Sequence, residues 1–71
     1  MATLQERFGE NLKTARMQSE ISMAELGRLS GLSHSEVSRL EAGIREPRLA
    51  TILALARALD TEVNDLIRGL H

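Results

Sequence analysis

The feature that most constrains this sequence is a pair of helix starts separated by one short turn. The segments Ser22–Glu25 and Ser33–Glu36 both have the pattern Ser-x-x-Glu. In this capping box the serine hydroxyl caps a helix amide and the glutamate reaches back to the serine amide. Gly31 lies before the second box, and glycine readily adopts the left-handed backbone that ends a helix. Only Leu32 remains between them, so the spacing predicts two short helices joined by a very tight turn.

Two capped helices joined this tightly form a helix-turn-helix, and the rest of the chain predicts three more helices around it. The first runs from about Leu4 to Gln18, the fourth from Leu49 to Leu59, and the fifth begins near Glu62. Apolar residues at spacings of three and four predict the buried faces of the first and fourth helices. These residues are Leu4, Phe8, Leu12 and Ala15, and then Ile52, Leu53, Leu55, Ala56 and Leu59.

Length and composition predict one all-α domain spanning residues 1–71. Helix-forming Ala, Leu, Arg and Glu are abundant, and no segment alternates apolar and polar residues as a half-buried strand does. The sequence contains no cysteine and no apolar run long enough to span a membrane. No metal-ligand spacing, nucleophile turn or glycine-rich phosphate loop is present. We therefore expect no catalytic residues, no metal, no cofactor and no membrane association.

The exposed face of the predicted third helix, residues 34–42, points to function. At 100° per residue, His34, Ser35, Ser38, Arg39 and Ala42 fall on one arc, opposite the apolar side. A solvated surface helix more often carries Glu and Lys pairs four residues apart. Short polar side chains with one long cation suit a helix that enters the major groove of duplex DNA, which is about 12 Å wide. Because the net charge is −1, binding to the phosphates of DNA would require that the cations be gathered on one face.

The stretch from Ile21 to Leu66 resembles the domain shared by lambdoid phage repressors, Cro proteins and the XRE family of bacterial regulators. With the first helix included, the resemblance covers nearly the whole chain, and it implies a five-helix, lambda-repressor-like fold with the helix-turn-helix in helices 2 and 3. The matching residues are Ile21-Ser22, Glu25-Leu26, Gly31-Leu32-Ser33, Val37-Ser38-Arg39-Leu40-Glu41, Gly43, Pro47 and the run Ala54-Leu55-Ala56-Arg57-Ala58-Leu59.

The resemblance implies that the third helix contacts DNA bases. His34 and Ser35 match base-contacting positions, and Ser38 and Arg39 share their face. Arg39 has the donors to read guanine or to hold a phosphate. Ser33, at the N-cap of this helix, is also expected to contact DNA.

The resemblance further implies phosphate contacts around this helix. Arg45 and Arg48 flank the proline in a loop that lies along the DNA backbone in the family. Met23 stands where the family usually has glutamine, which leaves a contact through the backbone amide. Arg16 is expected to pair with Glu41 and to lie close to a phosphate.

A second copy of the chain is the expected partner, because two-fold pairing doubles the limited base contact of one module. Val63, Leu66, Ile67 and Leu70 form an apolar stripe: Leu66 and Ile67 lie three and four residues after Val63, and Leu70 lies three residues after Ile67. In several relatives the last helices or the adjoining loop make the dimer contact. We therefore predict these four residues at a dimer interface, although the alternative that all four pack inside one protomer stays open.

These observations predict a sequence-specific transcriptional regulator, a repressor that acts as a homodimer on a near-palindromic operator. Its expected location is the cytoplasm, in association with the nucleoid. Two other functions stay open on the sequence. One is an antitoxin that binds both DNA and a toxin protein, and the other is an adaptor that retains the fold and binds only protein.

Overall fold

Five helices make up the regular structure in a computed structural model that describes residues 2–70, so the first and last residues of the predicted domain lie outside it. The helices are α1 (Leu4–Gln18), α2 (Met23–Ser30), α3 (His34–Glu41), α4 (Leu49–Ala58) and α5 (Val63–Ile67). The predicted all-α class and the order of its elements are confirmed. None of these helices within residues 2–70 is both long and apolar enough to cross a bilayer.

Serine caps begin both helices of the helix-turn-helix, but only the second capping box is complete. Ser33 Oγ accepts a hydrogen bond from the Glu36 amide at 3.1 Å, and Glu36 Oε1 accepts one from the Ser33 amide at 3.1 Å. Ser22 Oγ accepts from the Glu25 amide at 3.0 Å, as predicted. The Glu25 carboxylate, however, pairs with Arg28 one turn later. The predicted return bond from Glu25 to the Ser22 amide was therefore wrong. The Arg28 guanidinium offers this carboxylate charged donors, which make stronger hydrogen bonds than a backbone amide.

The turn between α2 and α3 depends on two glycines. Gly31 has φ +81°, the left-handed conformation that the sequence predicted at the end of α2. The Leu32 amide returns a hydrogen bond of 2.9 Å to the Gly27 carbonyl oxygen. A Cβ on Gly27 would lie only 3.0 Å from the carbonyl carbon of Ser33. The absence of a side chain at Gly27 thus lets the start of α3 lie directly on α2.

One apolar core is shared by all five helices. It consists of Phe8, Leu12, Leu26, Val37, Leu40, Leu55, Ala56, Leu59 and Leu66. The predicted burial of two residues was wrong, since Leu4 is 59% exposed and Leu53 is 40% exposed. Leu4 occupies the first position of α1, at the edge of the core, and Leu53 lies on the side of α4 that faces away from it.

At the junction of α1 with α3 the two helices approach each other closely. A Cβ on Gly9 would lie 2.5 Å from the Leu40 carbonyl oxygen and 2.6 Å from that of Glu41. The backbones of the two helices therefore touch at this glycine, with no room for a side chain.

A buried ion pair lies beside this junction, as the resemblance implied. Arg16 Nε donates to Glu41 Oε2 at 2.6 Å and Nη2 donates to Oε1 at 3.1 Å, so the contact is bidentate. Nη1 donates to the Ile21 carbonyl oxygen at 2.9 Å. The side chains are only 12% and 4% exposed. The hydrogen bond that Arg16 donates to Glu41 raises the pKa of Arg16 above its ordinary value, so the guanidinium stays charged.

The C-terminal helix is held against α1 by one amide side chain. Asn11 Nδ2 donates to the carbonyl oxygens of Leu66 at 2.9 Å and Arg68 at 2.8 Å. These are carbonyls at the end of a short helix, which have no partners within the helix itself. Asp60, in the turn before α5, has φ +52°, a conformation in which glycine carries less strain.

We predict that Gly9→Ala destabilises the domain by about 2 kcal/mol or more. Helix propensity alone predicts the opposite sign, a gain of about 1 kcal/mol. The loss is expected because the new Cβ would meet backbone oxygens of α3, which cannot move aside independently. Urea unfolding followed by circular dichroism measures the change, with the neighbouring surface substitution Glu10→Ala as control. A Gly9→Ala variant as stable as the parent would contradict the close contact.

We also predict that Glu41→Ala is more destabilising than Glu36→Ala. Removing Glu41 leaves the mostly buried Arg16 guanidinium without its counter-charge, at a cost of about 3–5 kcal/mol. Removing Glu36 deletes one arm of an exposed capping box, at about 1 kcal/mol. Thermal melts of both variants test this order, and a lower melting temperature for Glu36→Ala would reverse the assignment.

Candidate nucleic-acid interface

The outer face of α3 is polar and open to solvent, as the sequence predicted. His34, Ser35 and Arg39 are exposed and Ser38 is half-buried. On the opposite side, Val37 has no exposed surface and Leu40 is 3% exposed. Two inward residues thus anchor the helix, and the short outward side chains leave its surface accessible.

Three arginines surround a groove between α3 and the loop that follows it. Arg39 reaches it from the helix, and Arg45 and Arg48 line it from the loop, around a volume of about 380 Å³. All three are exposed, and within residues 2–70 none of them forms an ion pair. This is a local concentration of available positive charge in a chain of net charge −1.

Two glutamates also line this groove. The Glu36 carboxylate is turned back to the Ser33 amide and completes the capping box that the sequence predicted. Glu46, in the loop, is exposed. With three cations against two carboxylates, the groove has an excess of one positive charge, which leaves it attractive to an anion such as phosphate.

The N-terminus of α2 adds backbone donors. The Met23 side chain packs against the core, so this residue can offer only its amide, as the sequence suggested. The Ser22 oxygens accept from the amides of Glu25 and Leu26. The amides of Met23 and Ala24, in the first turn, have no such partner within the described part of the chain. Free amides and the helix dipole make this end a suitable contact for a phosphate.

Two of the predicted DNA-binding residues are occupied within the fold. The Ser33 hydroxyl accepts the Glu36 amide, although the serine is exposed at the start of α3. The Arg16 side chain is only 12% exposed, and three of its N–H groups bind Glu41 and Ile21. Little of Arg16 is left for a phosphate, so its main effect is to fix the position of α3.

The C-terminal stripe is largely internal. Leu66 has no exposed surface, so its predicted place at a dimer interface was wrong: it packs in the protomer core. Val63 and Leu70 are half-buried and also pack against the core. Only Ile67 is half-buried without belonging to that cluster. The stripe is not continuous either, because α5 ends at Ile67 and Leu70 follows the left-handed Gly69.

Sequence reasoning missed residues that position this surface from a distance. Gly9 brings α1 onto α3, and its only signal was a glycine inside a strong helical pattern, where it costs about 1 kcal/mol relative to alanine. Asn11, which holds α5, gave no signal. Thr51 lines the groove from α4, and the sequence predicts it only as part of a helix.

Comparison with known proteins identifies the family that carries this surface. Residues 12–66 match the family model described as "Helix-turn-helix". The chain belongs to the helix-turn-helix family. This helix-turn-helix domain is 40% identical over 63 residues to the uncharacterized HTH-type transcriptional regulator y4dL of Sinorhizobium fredii, which covers 89% of the chain and 32% of that protein. It is 33% identical over 62 residues to repressor protein C2 of Salmonella phage P22, covering 87% and 29%. The chain thus spans about a third of the length of these two relatives.

Solved structures match this helix-turn-helix domain over most of their length. The restriction-modification controller protein C.AhdI from Aeromonas hydrophila superimposes with a TM-score of 0.86 at 40% identity, covering 87% of this chain and 90% of that one. The P22 c2 repressor, in complex with a synthetic operator, gives a TM-score of 0.80 at 32% identity and covers 87% and 94%. The resemblance to phage repressors and the fold class predicted from the sequence are both confirmed.

Proposed function

We propose that this domain binds duplex DNA through α3 and regulates transcription, as a repressor that acts as a homodimer on a near-palindromic operator. The observation that carries the proposal is the groove beside α3, where three arginines meet a face of short polar side chains. Within residues 2–70 none of these arginines forms an ion pair. The P22 c2 repressor, whose fold this chain shares, is a repressor with an operator bound. Such a regulator acts in the cytoplasm, at the nucleoid.

Base recognition belongs to the exposed face of α3. A helix fits the major groove, about 12 Å wide, when its outward side chains are short. His34, Ser35 and Ser38 satisfy this condition. Arg39, one turn after Ser35, is long enough to reach a guanine edge and donate to O6 and N7.

Phosphate contacts belong to the surroundings of α3. Arg45 and Arg48 extend from the loop, and the amides of Met23 and Ala24 lie at the N-terminus of α2. Contacts of this kind fix the orientation of a protein on DNA without reading its sequence. The loop and the N-terminus of α2 therefore contact the DNA backbone, while α3, which lies between them, reads the bases.

We predict that binding to duplex DNA weakens steeply as salt rises. Each neutralised phosphate contributes about −0.9 to the slope of log affinity against log salt concentration. Arg45→Ala should reduce the magnitude of this slope by about 0.9, because one phosphate loses its cation. Fluorescence anisotropy with a labelled random-sequence duplex measures the slope, and Lys13→Ala, an exposed cation of α1 outside the groove, is the control. An affinity that is constant between low and moderate salt would rule out the ionic mechanism, and no detectable binding to the duplex would favour the protein-binding adaptor.

We further predict that Arg39→Ala changes the preferred DNA sequence, whereas Arg45→Ala weakens binding to all sequences alike. A bidentate contact to a base discriminates by about 1–3 kcal/mol, while a phosphate contact discriminates little. Selection from randomised duplexes, performed with the parent and both variants, compares their preferred sites. The same preferred site for Arg39→Ala and the parent would show that Arg39 does not read a base.

A further inference from the structure

The outer face of α4 is apolar although it lies at the surface. The helix has ten residues, LATILALARA, and Arg57 is its one charged residue. Its inner side, centred on Leu55 and Ala56, packs in the core. On the outer side Leu49 is 72% exposed and Leu53 is 40% exposed. A helix at the surface of a monomer normally carries charged residues on its solvent side, so this face is suited to a contact.

The exposed residues of this face are arranged symmetrically along the helix. Leu49 and Arg57 lie four residues before and four residues after Leu53, and all three project from the outer side. Two small residues, Ala50 and Ala54, lie between and beside them. A leucine ridge bordered by alanines can pack into the equivalent groove of a second, antiparallel helix. The face is thus complementary to itself, as a two-fold interface requires.

We propose that this face binds a second copy of the chain, with α4 packed antiparallel on α4 about a two-fold axis at Leu53. In this arrangement Leu53 meets its own counterpart, and Leu49 lies against the aliphatic part of the other copy's Arg57. The guanidinium of Arg57 extends past the contact into solvent, as long cationic side chains do. The two small alanines allow the helices to approach closely.

The size of the molecule supports a second copy as the occupant. The Cα atoms extend over 31 × 22 × 22 Å, and packed helices lie about 8–10 Å apart between axes. The centres of two abutting copies are therefore about 30–40 Å apart. Adjacent half-sites on DNA are about 34 Å apart. Two copies that occupy both half-sites, as the proposed function requires, are thus close enough to touch through one helix face.

The same geometry indicates that the contact is weak without DNA. A stable interface buries about 800 Å² on each partner, and one helix face with two exposed leucines provides less. Arg45 and Arg48, in the loop at the start of α4, also oppose the approach of Arg57 from the other copy. DNA removes this opposition by neutralising the arginines, and it holds both copies at a high effective concentration.

A cross-linking experiment tests the axis directly, without DNA. The sequence has no cysteine, so Leu53→Cys introduces a single thiol at the proposed axis. We expect a short bis-maleimide reagent to link Leu53→Cys into dimers much faster than Met17→Cys, a control on α1 that is 58% exposed in the parent. Ile67→Cys reports on the alternative interface at α5. Equal rates for Leu53→Cys and Met17→Cys, or a faster reaction of Ile67→Cys, would overturn the proposal.

A second experiment separates this interface from DNA binding. The double variant Leu49→Gln, Leu53→Gln keeps good helix formers and adds no charge, and Met17→Gln is its matched control. We expect its dimer dissociation constant, from sedimentation equilibrium, to rise roughly tenfold or more. Its affinity for a duplex with a single selected half-site should be unchanged, while cooperative binding to the inverted repeat is lost. Unchanged self-association and unchanged cooperativity in the double variant would overturn the α4 interface. Failure of the parent and of both variants to bind DNA would overturn the proposed function alone.

Discussion

The buried contact of Arg16 with Glu41 is the interaction on which the presentation of α3 depends. Arg16 comes from α1, Glu41 is the last residue of α3, and the third partner, the Ile21 carbonyl oxygen, lies in the turn before α2. One guanidinium therefore joins three parts of the chain. Such a pair gives little net stability compared with a well-packed apolar core, but breaking it is costly because a charge is left buried. Its geometry links the last residue of α3 both to α1 and to the turn before α2.

The carboxylates of α3, the helix that is proposed to meet DNA, have partners within the fold. The helix α3 contains two glutamates, and each is engaged by a neighbour: Glu36 by the Ser33 amide and Glu41 by Arg16. Arg39, Arg45 and Arg48 have no such partner within residues 2–70. A chain of net charge −1 can thus present a cationic groove, because pairing within the fold is selective. Net charge alone is consequently a poor guide to the ligands of so small a domain.

The sequence predicted what depends on local chemistry and missed what depends on tertiary contacts. The serine caps, the left-handed Gly31 and the polar face of α3 follow from local patterns, and all three are present. The burial of Leu53 and Leu66 does not follow from local patterns. Each residue belongs to a regularly spaced apolar set, and the spacing does not indicate which neighbour covers it. Leu66 is covered by the protomer itself, whereas Leu53 is left open. The role of Gly9 was equally invisible, since it depends on a backbone of α3 that lies some thirty residues away in sequence.

The position of α4 would connect the proposed base reading to the proposed pairing. This helix packs against α2 and α5, and it begins directly after the loop that carries Arg45 and Arg48. Any second copy held on its outer face is therefore oriented relative to α3 through a core of close-packed side chains, which transmit displacement with little compression. Two copies joined at Leu53 would present their recognition helices at one fixed separation. Spacing between half-sites would then be selected by the core of the domain, and the exposed side chains of α3 would be left to select only the bases.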